Sequence, residues 1–182
     1  MDVNGTHNFD GVGLPDAWQR IWAPHRMAYL QGENRPTGGD DLAGCPFCRI
    51  QSGSDEAGLI IARGELAYVV LNLYPYNAGH TLICTHRHVA DFADLTQQEL
   101  GEIGSLTQRT MRAVRDASGA QGFNIGINQG AIAGAAGIAA HLHQHVVPRW
   151  GGDSNFMPII GGTKILPALL ADTRNLIAAH WR

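Results

Sequence analysis

Three histidines at alternate positions, His141, His143 and His145, lie in the run His141-Leu142-His143-Gln144-His145-Val146-Val147-Pro148-Arg149. In an extended strand alternate side chains share a face, so the three imidazoles are expected side by side. Imidazole exchanges its proton near neutral pH, and a row of three offers a nucleophile, a hydrogen-bond donor and a metal ligand. The plain alternative is a strand whose exposed face carries imidazoles. Upstream, Cys45-Pro46-Phe47-Cys48 sets two thiols on one tight turn, which is half of a tetrahedral zinc shell. A redox dithiol and no metal at all compete with that reading. Three alternate histidines could also ligate one catalytic zinc and generate a hydroxide.

These groups need elements to hold them. Leu59-Ile60-Ile61-Ala62, Ala67-Tyr68-Val69-Val70-Leu71 and His80-Thr81-Leu82-Ile83-Cys84 read as successive strands with turn formers between them. Cys84 sits alone in its strand and reads as a small buried hydrophobe. Thr96-Gln97-Gln98-Glu99 is a capping box that should start a helix with Leu100, Ile103, Thr107, Met111, Val114 and Ser118 along one side and Gly119 as its stop. Phe123 to Asn128 should lie beside the histidine strand. Lys164 to Trp181 reads as a closing helix, with Pro167 near its start and Leu166, Leu169, Leu170, Leu176 and Ile177 as its apolar face. Residues 16–30 fit an amphipathic helix interrupted near Pro24, and the polar, breaker-rich run 32–41 reads as a linker. The expected division is therefore a helical extension with linker over 1–44 and one α+β domain over 45–182.

Size and composition narrow the classes. The chain of 182 residues is long enough for one well-buried domain. A net charge of −3, with 16% charged residues, gives no clustered basic footprint for nucleic acid. No run approaches the length of a membrane span and the N-terminus lacks a leader pattern, so a cytoplasmic protein is expected. Three cysteines do not make a disulfide framework.

The triad run resembles the signature of the histidine triad family, His-x-His-x-His followed by two apolar residues, with Gln144 in a slot that is usually apolar. Its continuation Pro148-Arg149-Trp150-Gly151-Gly152-Asp153-Ser154-Asn155-Phe156, together with Leu73-Tyr74-Pro75-Tyr76-Asn77-Ala78-Gly79-His80, is similar to the branch containing actinobacterial diadenosine tetraphosphate phosphorylases. The resemblance implies an antiparallel sheet of about five strands with helices packed on it, and a homodimer or higher homo-oligomer. It implies a catalytic set of His141, His143 and His145, in which His143 carries a covalent nucleotidyl group. His145 would stabilise the phosphate, or else only orient its neighbours. By the same resemblance Asn72 holds the ribose, His80 stands beside the phosphates, Leu71 and Leu82 flank the base, and Asn128 lies near the phosphates. A structural zinc would take Cys45, Cys48, His88 and His141; His86, one pleat away, is expected in solvent.

Other candidates come from the residues themselves. The loop 130–140 holds no hydroxyl or amide side chain, so backbone amides from Gly134 to Gly137 are the candidate phosphate cradle. Trp150 could stack on a base or pack in the core. Arg149 and Lys164 could hold phosphates or face solvent. Without a side-chain proton donor in that loop, a polyphosphate leaving group suits the chain better than an amine. The reaction that the resemblance implies is cleavage of diadenosine tetraphosphate by inorganic phosphate to ADP and ATP, with adenine nucleotides and dinucleoside polyphosphates as ligands. The alternatives are a hydrolase of dinucleoside polyphosphates or nucleoside phosphoramidates, and a catalytically weak nucleotide-binding protein.

Overall fold

The computed structural model describes residues 44–130, 133, 138–153 and 168–182. The expected N-terminal helix and linker, Gly134, Gly137, Lys164, Leu166 and Pro167 lie outside the described residues. A short helix α1 (Pro46–Arg49) leads into strands β1 (Ile60–Arg63), β2 (Ala67–Leu71) and β3 (Thr81–Thr85). Then come helix α2 (Gln97–Ser118), strands β4 (Gly122–Ile127) and β5 (His143–Arg149), and helix α3 (Leu170–Ala179). The strands form one antiparallel sheet in the order β1-β2-β3-β5-β4, an α+β fold.

Register assigns each face its work. Tyr68 pairs with Cys84 and Val70 with Leu82, which pair in turn with His143 and His145. These six side chains therefore share a face. On it lie the buried Cys45, Phe47, Ile60, Tyr68, Val70, Leu82 and Cys84. The opposite face carries Val69, Leu71, Ile83 and Val146 and is covered by Ile103, Leu106, Ala113 and Val114 of α2. Gln144 points to this second face, where its Nε2 donates to Thr107 Oγ1 at 2.7 Å. A polar residue in the triad's usually apolar slot is thus satisfied by a helix hydroxyl.

The α2 start follows its expected chemistry. Thr96 Oγ1 accepts from Glu99 N at 3.1 Å, and Glu99 Oε2 accepts from Thr96 N at 2.8 Å. Gly119, at φ 66°, ends the helix in the left-handed region, where glycine has no Cβ penalty. Its buried stripe runs through Leu106, Thr110 and Ala113 as well as Ile103 and Val114, while Ser118 is exposed and its hydroxyl donates to Val114 O at 2.7 Å.

The closing helix corrects the expectation, since α3 begins only at Leu170 and Leu169 and Leu176 are exposed. Ile177 is buried in the core, Leu170, Ala178 and Trp181 pack against it, and Arg174 Nε donates to Ile60 O at 2.7 Å. β5 also starts later than expected, leaving His141 in a bend before the strand.

Glu99 is buried, and its carboxylate also takes two hydrogen bonds from Arg87, at 3.0 and 2.8 Å. Arg87 first, and then the Thr96 donors, hold its pKa at about 2, down from 4.5. A depressed carboxylate contributes stability in full above its unfolded value and loses it as pH falls towards the folded one. We expect Glu99→Gln to cost about 1–2 kcal/mol at neutral pH. In acid denaturation series the gap between the two proteins should shrink as pH falls from 4.5 towards about 2.

Candidate active site and metal centre

His141 spends three groups on its surroundings. Its Nε2 stands 2.9 Å from Thr85 O, and a carbonyl can only accept, so the ring proton is on Nε2. The Nδ1 lone pair then faces Cys45 Sγ and Cys48 Sγ, each at 3.4 Å, while His88 Nδ1 lies 3.3 Å from Cys48 Sγ. The ligand atoms of these four residues all lie within 4.8 Å of one another. A tetrahedral ion with metal–sulfur bonds of ~2.3 Å and metal–nitrogen bonds of ~2.0 Å has nitrogen–sulfur edges of ~3.5 Å, so the donor set fits a metal ion. Without one, burial and the neighbouring Cys45 push the Cys48 thiol up to about 11.

The third group is the His141 carbonyl, 2.9 Å from His143 Nδ1. It fixes the proton on Nδ1 and leaves the Nε2 lone pair of His143 free for attack. Burial lowers the proton affinity of this ring, which favours the neutral form a nucleophile requires. Phe47 links the two centres, its ring 5.5 Å from that of His141 and 5.0 Å from that of His143.

A second chain of tautomers runs to His145. The Tyr76 backbone N–H donates to His80 Nδ1 at 3.0 Å, and Asn72 Nδ2 stands 3.2 Å from the same nitrogen. His80 therefore carries its proton on Nε2 and donates to His145 Nδ1 at 3.0 Å. His145, held near pKa 4 by burial and by His143, is left with its own proton on Nε2. The Asn128 amide lies 3.3 Å (Nδ2) from that nitrogen, and a protonated Nε2 requires the amide to turn its oxygen towards it. The His143 and His145 rings are 5.1 Å apart. A lone pair and an N–H donor thus stand side by side, an arrangement suited to attack on a phosphorus centre while one of its oxygens is held.

The structure brings His141, His143, His145, His80, Asn72, Asn128 and Leu82 together and separates others. The three triad rings do not converge on one metal, because His141 is turned to the thiols. Leu71 pairs with Thr81 and packs on the helix-covered face, so it cannot flank a base bound at the histidines. Trp150, at an even position beyond β5, also falls on the α2 side, where it packs against the core and Nε1 donates to Ser118 O at 3.1 Å. Arg149 makes a two-pronged ion pair with Asp153, at 2.6 and 2.8 Å, and donates to Asn124. That partner holds the Asp153 carboxyl well below the usual carboxylate range. His86 is half-buried rather than solvated, its ring stacked 5.4 Å from Tyr68 and its nitrogens facing Gln51 Oε1 at 2.7 Å and Gly64 O at 3.1 Å. Sequence reasoning gave no role to Phe47 or Tyr76. Phe47 was marked only by lying between the two cysteines, and Tyr76 by nothing beyond its place in the turn before His80.

The HIT domain profile matches residues 55–152, and this chain belongs to that family. It is 49% identical over 173 residues to the AP-4-A phosphorylase of Mycobacterium tuberculosis, covering 94% of this chain and 88% of that protein. Among solved structures it resembles a Zn-bound histidine triad family protein from Mycobacterium smegmatis, with a TM-score of 0.61, 28% identity, and coverage of 77% of this chain and 94% of the other. The diadenosine triphosphate hydrolase of Plasmodium falciparum shares the fold, with a TM-score of 0.54 and 22% identity over 67% of this chain and 75% of that one.

The quartet makes a prediction of its own. Titration with Co²⁺ should give thiolate-to-metal absorption saturating at one ion per chain, with protons released because Cys48 must deprotonate. Cys48→Ala and His88→Ala should each weaken binding by at least about tenfold.

Proposed function

We propose that this protein is a diadenosine tetraphosphate phosphorylase working by double displacement. The observation that carries the reading is the pair formed by the free Nε2 lone pair of His143 and the Nε2–H of His145. His143 Nε2 attacks the α-phosphorus; the phosphorus–nitrogen bond forms as the bond to the bridging oxygen breaks, and ATP leaves. An oxygen of inorganic phosphate then attacks the same phosphorus, the phosphorus–nitrogen bond breaks, and ADP is released. His145 donates to a phosphate oxygen throughout, where charge builds in both transition states. The leaving polyphosphate is a stabilised anion and the acceptor oxygen already carries charge, so neither step demands a further acid or base.

The 49% identity to a protein named AP-4-A phosphorylase supports phosphorolysis over hydrolysis. Asn72 suits the ribose hydroxyls, since an amide both donates and accepts, and Leu82 and Asn128 complete the nucleotide contacts. We assign zinc to Cys45, Cys48, His88 and His141, where it would cross-link the α1 turn, the end of β3 and the approach to β5, with no coordination position left for substrate. Edge strand β4, with Ile125 46% exposed, supports a homodimer. Among the described residues no helix is long and apolar enough to cross a membrane, and a cytoplasmic setting fits the nucleotide substrates.

Diadenosine tetraphosphate incubated with the protein should give ADP plus ATP only when inorganic phosphate is present; AMP plus ATP without it would make the protein a hydrolase. His143→Gln should lower turnover by at least about a thousandfold while nucleotide still binds.

A further inference from the structure

The turn between β2 and β3 is over-determined. Asn72 N donates to His80 O at 2.8 Å, His80 N to Asn77 O at 3.2 Å, and Tyr74 N to Asn72 Oδ1 at 3.0 Å. Asn77 Nδ2 ties the turn to the end of β5 through Pro148 O at 3.1 Å and Asp153 Oδ2 at 2.9 Å. Gly79, at φ 70°, permits the sharp return into His80. The backbone of residue 76 is therefore placed by its neighbours, whatever side chain it bears.

The side chain it bears is a ring laid on both relay histidines. Tyr76 stacks on His145 with centroids 5.5 Å apart and planes 15° from parallel, and tilts against His80 at 4.7 Å and 42°. The two imidazoles are themselves tilted, 5.1 Å apart at 39°. A hydrogen bond between two ring nitrogens depends on both torsions, and a flat group covering both rings restricts both. Tyr76 is 49% exposed, and its ring still lies against both imidazoles.

We propose that Tyr76 is a positioning residue, whose ring holds the His80–His145 pair in the orientation that presents the His145 Nε2–H to the phosphate. The role rests on the phosphate-facing function proposed for His145. It divides Tyr76 in two: the backbone N–H sets the tautomer of His80, and the ring fixes how that tautomer is passed to His145. Substitution removes the ring's part and leaves the backbone N–H in place.

The test uses the full-length protein with Tyr76→Phe, which keeps the ring, and Tyr76→Leu, which removes it. Tyr76→Met serves if the leucine variant does not fold, since it fills similar space without a ring. In steady-state turnover of diadenosine tetraphosphate with phosphate, Tyr76→Leu should lose about tenfold in kcat with KM within about twofold, and Tyr76→Phe should retain most of the rate. Nitrogen-15 NMR of the histidine-labelled resting protein should show a single Nε2–H tautomer for His145 in the wild type and Tyr76→Phe, and a mixture in Tyr76→Leu. A raised KM at unchanged kcat would make the ring a nucleotide contact and overturn the proposal. Equal losses in both variants would implicate the hydroxyl and overturn it as well, as would an unchanged His145 tautomer in Tyr76→Leu. A wild-type protein without turnover would instead sink the phosphorylase reading, and the NMR comparison would still decide the part played by Tyr76.

Discussion

The hydrogen bond from His143 Nδ1 to the carbonyl of His141 is the constraint on which this site depends. An imidazole can attack through either nitrogen, and only a fixed acceptor at one of them commits the other. His141 supplies that acceptor from a residue whose ring is held on two sides, by the Thr85 carbonyl on Nε2 and the thiol pair on Nδ1. The residue that completes the metal cluster thus also aims the nucleophile. This explains why a Cys-x-x-Cys turn 93 to 96 positions upstream is built against the catalytic strand, with Phe47 filling the space between.

Burial and tautomer work together. Low-dielectric surroundings disfavour imidazolium, so His143 and His145 both stay neutral near pH 7 and differ only in which nitrogen bears the proton. The His141 carbonyl makes that choice for His143, and the chain from the Tyr76 N–H through His80 makes it for His145. Two chemically identical side chains thereby present opposite faces to a phosphate, one a lone pair and one an N–H. Neither needs a charge to act.

Much of this was legible in the sequence. Strand β2 was foreseen residue for residue, Cys84 is the buried apolar residue it looked like, and the capping box formed as read. The quartet of Cys45, Cys48, His88 and His141 came from family resemblance, and the fold draws the four together. Leu71 was misplaced by parity, while Trp150, left open between a base and the core, packs against the core. Period-two alternation puts Val70, Asn72, His80 and Leu82 on the histidine side and Leu71 on the other, but the cross-strand register was not visible in a single chain. His86 was missed because its partners, Gln51 and Gly64, lie 35 and 22 residues away. The closing helix is shorter than its apolar pattern suggested, because Leu169 and Leu176 belong to surface that no described element covers.

His143 acts through Nε2 because His141 holds Nδ1. The most direct test is phosphorus NMR of the adenylylated protein, trapped with diadenosine tetraphosphate in the absence of phosphate and labelled with nitrogen-15 separately at each histidine ring nitrogen. Phosphorus–nitrogen coupling is expected from Nε2 of His143 alone. Coupling through Nδ1, or adenylylation at any other residue, would contradict that assignment.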